Sequence, residues 1–426
     1  MGLKILIVYF YVMISMLAFY CAFIYFGSNR QKKMEKVILY FFPLLPIFFL
    51  FLISWRWSMM TLQVPALTDI YHCYRGIADP VSTPYRDVWQ VESPTFFALM
   101  RAILFFTGDS LESYARVIKF GNWMSLSVFS ICLVIYLRKI RPNGFAQWLN
   151  LTFELMFYGL CGLMLFARNY QCGNFNCLTM GFVGIFILVY RIGTNNKILS
   201  ATGGMALASA IMLKPYYLMV LIILTAMSAV LRKSKGRFSY MAYAAWAWLV
   251  LGGCLSLLAP GIDVSTYFDF LRSADALYHS LDFQVGLFEV NNSLIKYISW
   301  GLKKPVSLMI FILCSSFLIY LLRKKRPCGL IPIFFLTQLY LPVFWQEHLM
   351  GIFPAVFFLM SGKREARKFI IMGFVATLVF FASMHLPASP FLVNLSLIML
   401  FLISENFTSP KRTFGEFFIL KGKAQA

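Results

Sequence analysis

The chain has 426 residues, of which 60% are hydrophobic and only 13% are charged, and its mean hydropathy is +0.74. A soluble domain is about one quarter charged, so this composition leaves too few polar side chains to cover a water-exposed surface. It excludes water-soluble enzyme folds and predicts an all-α polytopic membrane protein, because helices satisfy their own backbone hydrogen bonds in lipid. We treat residues 1–426 as a single transmembrane domain, since no Pro/Gly-rich linker divides the sequence.

The formal net charge of +21 would suggest nucleic acid as the partner of a soluble chain. Here most of the acidic residues lie apart from the basic ones, which are concentrated in seven short clusters at 28–36, 138–141, 191–197, 232–237, 323–326, 363–368 and 408–426. Basic clusters between apolar segments are typical of cytoplasmic loops, where they contact anionic lipids. The charge therefore indicates orientation and contact with membrane lipids, and nucleic acid is not an expected partner.

Apolar segments near the length that spans a bilayer recur along the chain. We predict about thirteen transmembrane helices, at 3–26, 37–59, 122–137, 145–167, 175–190, 198–213, 215–231, 238–259, 306–322, 330–344, 347–362, 369–386 and 391–407. The first is interpreted as a retained signal anchor, because it is too long for the apolar core of a signal peptide. With every basic cluster in the cytoplasm, the amino terminus is outside and the carboxyl terminus is cytoplasmic. The sequence thus predicts a multi-pass protein of the inner or plasma membrane.

Two long loops fall on the non-cytoplasmic side in this arrangement, at 60–121 and 260–305. The first contains the stretches Thr95–Thr107 and Ser110–Phe120, which predict a pair of helices lying in the membrane interface. Together the two loops hold most of the acidic side chains of the chain. Polar chemistry is therefore expected at the outer face.

The first polar candidate in chain order is Asp69, in the stretch Leu67–His72, which is the first acidic residue after the second predicted helix. A carboxylate where the chain leaves the membrane can act as a general base toward a hydroxyl group. A solvated loop acid or a helix cap fits the same position. Asp79, Asp87 and Glu92 follow in this loop and are the other candidates for a base.

Further polar stretches fall at predicted outer ends of helices. They are Arg168–Asn176, Lys214-Pro215, Asn291-Asn292-Ser293 and Trp345–His348. The first is rich in hydrogen-bond donors, and the lysine could hold a lipid-borne phosphate. Each stretch also has a structural explanation, since a lysine at a helix end can snorkel to the interface and a lone histidine is often a structural hydrogen-bonding group.

Five short motifs occur in order over residues 60–360. The first motif consists of Asp69 and the following Gly76, Thr83–Tyr85 and Glu92–Leu99. The other four are Gly173–Leu178, Lys214-Pro215, Asn291–Ser293 and Pro342–His348. This arrangement resembles the GT-C superfamily of integral membrane glycosyltransferases, and specifically glycosyltransferase family 87, which includes polyprenyl-phosphate-mannose-dependent mannosyltransferases. The resemblance implies a GT-C fold with interfacial helices in the first outer loop.

The resemblance also implies a reaction. A monosaccharide, mannose or another hexose or pentose, would pass with inversion from a polyprenyl-phosphate donor to a hydroxyl of a glycolipid or glycan on the non-cytoplasmic face. Asp69 is implied as the general base. Donor-phosphate binding is implied for Arg168, Lys214, His348 and Arg272, and sugar or acceptor binding for Tyr71, His72, Asn174, Asn176, Asn292, Trp345 and Glu347.

No cofactor is expected for this reaction, because the donor needs no nucleotide and the sequence has no ligand spacing that requires a metal ion. Two other functions remain open. A transporter of lipid-linked sugars would also have many helices, although internal repeats are usual there. A surface-polysaccharide polymerase or ligase would use arginines in an outer loop, for which Arg75, Arg86 and Arg272 are available. The donor distinguishes the glycosyltransferase from a polymerase or ligase. The glycosyltransferase would use a monosaccharide on a polyprenyl monophosphate, whereas a polymerase or ligase consumes a polyprenyl diphosphate oligosaccharide.

The predicted topology can be tested by labelling. Because the basic clusters indicate the cytoplasmic side, single cysteines introduced into loops 60–121 and 260–305 are expected to react with a membrane-impermeant maleimide from the outside. Cysteines in the tail 408–426 are expected to react only after permeabilisation. Loop cysteines that label only from the cytoplasmic side would contradict the orientation.

Overall fold

The computed structural model describes eight stretches of the chain and the single positions 371 and 375. The stretches are 68–78, 92–140, 176–192, 196–230, 235–272, 330–339, 346–360 and 389–408. Within these ranges all regular secondary structure is helical, and there is no β-strand. Several predicted spans fall wholly or almost wholly outside the described residues, namely 3–26, 37–59, 145–167, 306–322 and 369–386.

The α-helices of the described stretches are numbered in chain order. They are α1 (Thr68–Ala78), α2 (Pro94–Thr107), α3 (Leu111–Ile140), α4 (Asn176–Ile192), α5 (Lys197–Leu213), α6 (Leu218–Val230), α7 (Lys235–Ser256), α8 (264–272), α9 (Leu330–Leu339), α10 (Phe353–Met360) and α11 (Ser389–Thr408). The 3-10 turn Pro215–Tyr217 precedes α6, and the 3-10 helix Gln346–Ile352 precedes α10.

Two of the described helices are long and apolar enough, by length and composition, to cross a membrane. They are the Leu111–Leu137 part of α3 and the Phe238–Ser256 part of α7. Helices α4, α5 and α7 lie where the sequence predicts helices over 175–190, 198–213 and 238–259. The described structure is that of an all-helical chain with two candidate membrane spans.

One prediction for the first outer loop is wrong. The stretch Ser110–Phe120 does not form a separate helix in the interface, because α3 runs without a break for 30 residues. At about 1.5 Å per residue it is roughly 45 Å long, which exceeds the hydrocarbon core of about 30 Å. Gly121 does not interrupt α3. A Cβ atom there would meet the Leu178 side chain, so this glycine allows α4 to approach closely.

The helix predicted over Thr95–Thr107 is present as α2, and local sequence signals account for both of its ends. Ser93 caps its amino end, where the Phe96 N–H donates to the Ser93 hydroxyl at 3.2 Å. Proline is favoured at the first helical position, because its missing N–H would have no partner there. At the other end Gly108 has a φ of 98° and its N–H donates to the Leu104 carbonyl, a left-handed backbone that favours glycine.

Small residues allow the central helices to pack closely. Gly204 brings α5 against the backbone of α7 at Met241, and Gly181 brings α4 against Ser125 of α3. The Ser125 hydroxyl accepts from the Gly181 N–H at 2.7 Å and donates to the Leu178 carbonyl at 2.8 Å. Close backbone approach at small residues is how helices associate where the surrounding lipid removes the hydrophobic driving force.

The buried apolar side chains form two clusters. The larger runs between α3, α4, α5, α6 and α7 and continues onto α9, α10 and α11. The smaller joins α1, α2, the start of α3, the end of α5 and the turn after α7, through Cys73, Ile77, Phe96, Phe97, Met100, Tyr114, Leu213 and Ile262. The polar residues of the candidate site lie where these clusters meet, at the junction between α5 and α6.

The close approach of α5 and α7 yields a stability prediction with a matched control. A Cβ atom at Gly204 would lie 2.9 Å from the Met241 carbonyl carbon, whereas one at Gly236 would have no heavy atom within 4 Å. Gly204→Ala is expected to lower the free energy of unfolding by about 1–3 kcal/mol, because backbone cannot move aside cheaply. Gly236→Ala should leave it unchanged or raise it, since alanine is the better helix former. Thermal unfolding in detergent compares them, and equal midpoints would contradict this packing.

Candidate functional site

The site is built around a break in the helical chain at Lys214-Pro215. Proline disfavours helical backbone in the residue before it, and Lys214 accordingly has an extended backbone with φ −140° and ψ 103°. Its N–H still donates to the Ala210 carbonyl at 2.8 Å, which makes it the C-cap of α5. The lysine side chain is thereby carried into the protein rather than along the helix surface, and only 5% of it is exposed.

A buried carboxylate pairs with this lysine. The Lys214 Nζ lies 3.2 Å from Oε1 of Glu92, whose side chain is 7% exposed. The two residues are 122 positions apart in the sequence. A buried charge is costly unless it is paired, so the ion pair permits both groups to stay charged inside the protein.

The residue after Glu92 fastens the same junction. The Ser93 hydroxyl accepts from the Phe96 N–H and donates to the Met212 carbonyl. The carbonyls of the last helical turn have no hydrogen-bond donor within their helix. In α5, Ser93 is the donor to one of these carbonyls, that of Met212. The amino end of α2 is therefore attached to the carboxyl end of α5 by an ion pair and a hydrogen bond on adjacent residues.

Two tyrosines follow the proline and connect the junction to α4. The Tyr216 hydroxyl donates to Asn176 Oδ1 at 3.2 Å, and the Tyr217 hydroxyl lies 3.0 Å from Thr179 Oγ1. Asn176, Thr179 and Tyr217 are all fully buried. Asn176, expected to bind the sugar or acceptor, thus has its side-chain carbonyl held by a neighbouring tyrosine.

The same tyrosines contact the 3-10 helix that contains Glu347 and His348. The Tyr217 hydroxyl donates to the Gly351 carbonyl at 3.1 Å. A Cβ atom at Gly351 would lie 2.6 Å from the Tyr217 hydroxyl and 2.7 Å from that of Tyr216, so a larger residue there would displace these hydroxyl groups. The segment Lys214–Tyr217 consequently touches two other motif segments, at Glu92 and Asn176, and also Gly351 of the 3-10 helix that begins within the last motif.

A large apolar groove adjoins this junction. It has a volume of about 810 Å³ and is enclosed by α2, α5, α7 and the turn that follows α7. Thr95, Met212 and Leu213, which are chain neighbours of the Glu92–Lys214 pair, line it. Most of its remaining surface is apolar, with walls that include Leu99, Phe105, Trp248, Leu251, Leu255 and Leu258.

An arginine in the groove wall joins three elements. The Arg101 guanidinium donates to the Gly76 carbonyl at 3.0 Å, to the Ile77 carbonyl at 3.2 Å and to the Pro260 carbonyl. Cations at a helix carboxyl end complement the free carbonyls and the helix dipole. Arg101 therefore attaches the end of α1, the helix that contains Asp69, Tyr71 and His72, to the rim of the groove.

Asp109, which lines the groove, and Asp263 at the start of α8 have defined hydrogen-bond partners. The Tyr74 hydroxyl donates to Asp109 at 3.4 Å, and burial, followed by the Asp109 charge, raises the pKa of Tyr74. At the start of α8, hydrogen bonds from Ser265 and Thr266 lower the pKa of Asp263. Asp263 Oδ1 accepts from the Thr266 N–H at 2.8 Å, which makes Asp263 the N-cap of α8.

Arg272 is separate from the Lys214 junction in the described structure. It lies at the end of α8 with 81% of its side chain exposed, and its guanidinium is 4.0 Å from Asp269 on the preceding turn. The helix itself packs beside the groove, because the Tyr267 hydroxyl lies 3.0 Å from Thr95 Oγ1 and also contacts Ser256. Arg168, Asn174, Asn292 and Trp345 lie outside the described residues.

The sequence interpretation did not assign site roles to several residues that build this junction. It weighed Glu92 only as an alternative base and did not single out Ser93, Thr179, Tyr216, Tyr217 and Gly351. One signal was available in the sequence, since two tyrosines directly follow a lysine-proline break between apolar helices. The partners of that segment depend on how distant helices dock, and no local pattern reports this.

No family model, curated protein or solved structure matches this chain. Within the described stretches, no group of three or more His, Cys, Asp or Glu side chains could hold a metal ion.

The buried tyrosine gives a test of the junction. Tyr217→Phe removes the hydroxyl that bonds Gly351 and contacts Thr179, and an unpaired buried polar group costs about 1–3 kcal/mol. We expect a lower unfolding midpoint in detergent for this variant. Tyr243→Phe is the matched control, because Tyr243 lies on α7 with 72% of its surface exposed. Equal midpoints for the two variants would show that the junction does not contribute to stability.

Proposed function

We propose that this chain is an inverting, multi-pass membrane glycosyltransferase of GT-C architecture. It transfers a monosaccharide from a polyprenyl-phosphate donor to a hydroxyl group of a glycolipid or glycan on the non-cytoplasmic face. The proposal includes the predicted arrangement of about thirteen helices, with the amino terminus outside and the carboxyl terminus in the cytoplasm. It rests on the family resemblance of the motifs and on one structural observation.

That observation is the convergence of motif segments at Lys214–Tyr217. Glu92 and Asn176, from two motif segments far apart in sequence, bond Lys214 and Tyr216, and Tyr217 bonds Gly351, three residues after the last motif. Residues that only pack would need no buried cation at this point, because apolar side chains fill a core at least as well. A buried cation among hydrogen-bonding side chains supports an anion-binding role, and phosphate is the anion that the donor carries.

The groove beside the junction supports a lipid substrate. Its volume of about 810 Å³ falls within the range of about 300–1,000 Å³ that is usual for small-molecule sites. Its apolar lining suits a polyprenyl chain, and two of its lining residues, Thr95 and Leu213, are close in the chain to Glu92 and Lys214. A ligand with a long apolar chain and a single anionic group has the chemistry that this arrangement would recognise.

The proposed reaction is a displacement at C1 of the sugar. The acceptor hydroxyl oxygen forms a bond to C1 of the sugar while the bond from C1 to the phosphate oxygen breaks. The Asp69 carboxylate takes the hydroxyl proton, and the polyprenyl phosphate leaves with the bonding electron pair. The transition state resembles an oxocarbenium ion, and a cation beside the leaving phosphate stabilises the charge that develops there. Attack opposite the leaving group inverts the anomeric centre.

Other residues would assist this reaction. Lys214 would act with Arg168, His348 and Arg272 on the donor phosphate, of which Arg272 could reach a headgroup from the exposed end of α8. Sugar and acceptor contacts would come from α1 and the 3-10 helix, and from α4 with the residues before it. These contacts are assigned to Tyr71, His72, Glu347, Trp345, Asn174, Asn176 and Asn292.

The reaction is tested by incubating purified protein with a panel of labelled polyprenyl-phosphate hexoses and pentoses and a membrane extract as the source of acceptors. Transfer of one sugar from one member of the panel is the expected result. Consumption of a polyprenyl diphosphate oligosaccharide instead would identify a polymerase or ligase. Movement of labelled donor across vesicles without chemical change would identify a transporter.

The base is tested by Asp69→Asn. Asparagine keeps the size of aspartate but cannot accept a proton near neutral pH, and a general base contributes about a hundred- to ten-thousand-fold. We expect sugar transfer to fall by at least the lower figure, while expression and binding of the polyprenyl phosphate product persist. Glu112→Gln is the matched control, because Glu112 pairs with Arg116 on the exposed side of α3.

Two outcomes would contradict this assignment. Wild-type transfer by Asp69→Asn, together with an inactive Asp87→Asn or Glu92→Gln, would mean that the motif of the first loop is misaligned. Normal transfer by all of these variants, and by Asp79→Asn, would remove the catalytic carboxylate from the proposal.

A further inference from the structure

We propose that Glu92 is a positioning residue that occupies the anion-binding position of Lys214 and competes with the donor phosphate for it. The inference rests on the proposed function and adds a residue for which the motif resemblance supplies no such role. The Glu92 carboxylate oxygen lies 3.2 Å from the ammonium nitrogen, and both side chains are more than nine-tenths buried. A phosphate oxygen that bonds Lys214 must approach the same small ammonium group.

The backbone of Glu92 cannot move away from Lys214, because bonds of the next residue hold it. Ser93, the next residue, caps α2 and also donates to the Met212 carbonyl. These bonds fix the backbone on both sides of the pair, at the start of α2 and at the end of α5. Competition between the two anions must therefore be resolved by rotation of the Glu92 side chain or by sharing of the ammonium group.

Like charges repel strongly at this depth. In a partly buried site, the repulsion between two like unit charges 4 Å apart is large enough to weaken binding by well over tenfold. A phosphate monoester bound at Lys214 would lie beside the Glu92 carboxylate at about that separation or less. Glu92 therefore weakens binding of the phosphate in both the donor and the product.

This competition has a purpose in a transfer reaction. The leaving polyprenyl phosphate gains negative charge at the bond that breaks, so a bare buried lysine would hold the product tightly. An internal carboxylate that takes over the lysine returns the ammonium to a neutralised state and promotes product release. Release is the slow step of many enzymes, and Glu92 would act on that step rather than on bond cleavage.

The two members of the pair therefore have opposite predicted effects. Glu92→Gln keeps the shape of the side chain and removes the competing charge. Farnesyl phosphate should therefore bind this variant at least about tenfold more tightly than it binds wild type. Lys214→Met should abolish the preference for farnesyl phosphate over farnesol, the uncharged probe with the same apolar chain. Titrations of detergent-solubilised protein measure both constants. Glu112→Gln, the same chemical change in an exposed pair, should leave both constants at wild-type values.

A purely structural ion pair gives a different result. Both single variants would then be destabilised, and neither would change the ratio of the two binding constants.

The competition also predicts an effect on stability. Removing one partner of a buried pair leaves an uncompensated charge, so the unfolding midpoint of Glu92→Gln should rise more on addition of farnesyl phosphate than that of the other variants. If Glu92→Gln does not fold, Glu92→Asp, which keeps the charge on a shorter side chain, should bind farnesyl phosphate more tightly than wild type by a smaller factor.

The outcomes separate this inference from the proposed function. A wild-type preference for farnesyl phosphate, with no tighter binding in Glu92→Gln or Glu92→Asp, overturns the role of Glu92 alone. No preference in wild type but a clear one in Glu92→Gln upholds the competition and counts against polyprenyl phosphate as a natural ligand. No preference in any variant overturns both.

Discussion

The described structure depends on partners for the polar groups at a break between two apolar helices, α5 and α6. Proline at position 215 has no N–H and prevents the preceding residue from continuing α5. Carbonyl groups and a buried ammonium are left at the end of that helix, and unpaired polar groups are costly in a low-dielectric interior. Glu92 and Ser93 supply the missing partners. A local backbone break thus requires that the distant start of α2 dock against the end of α5.

The same break determines what lies on its other side. After the break the chain continues as the 3-10 turn Pro215–Tyr217. In this turn Tyr216 bonds α4 and Tyr217 bonds the Gln346–Ile352 helix. Shape reinforces these bonds, since Gly351 leaves room for the two hydroxyl groups and a larger residue would not. Packing around the junction is apolar and relies on close helix contacts such as that at Gly204. Apolar contacts bring the helices together, and the polar junction selects one register for them.

The sequence predicted the parts of this arrangement that depend on local chemistry. The break at Lys214-Pro215, the helices on both sides of it and the helix over Thr95–Thr107 follow from proline, capping residues and apolar length. It failed at Ser110–Phe120, because α3 continues through these residues without a break and Gly121 lies inside it at the contact with α4. It did not find the partner of Lys214, because the 122-residue separation carries no pattern. The side-chain roles assigned to Asp69 and His348 stay predictions.

Stability alone does not explain why this junction contains a charge. Replacing a buried ion pair by apolar side chains of similar size is often neutral or stabilising, and the residues around Lys214 already form apolar clusters that could include them. The Tyr217 bonds to α4 and the 3-10 helix do not involve the lysine, so register could be specified without it. A methionine at this position could pack equally well, but it could not bind an anion. A buried lysine paired with a carboxylate, at a position that apolar side chains could also fill, therefore favours the proposed anion site over a purely structural role.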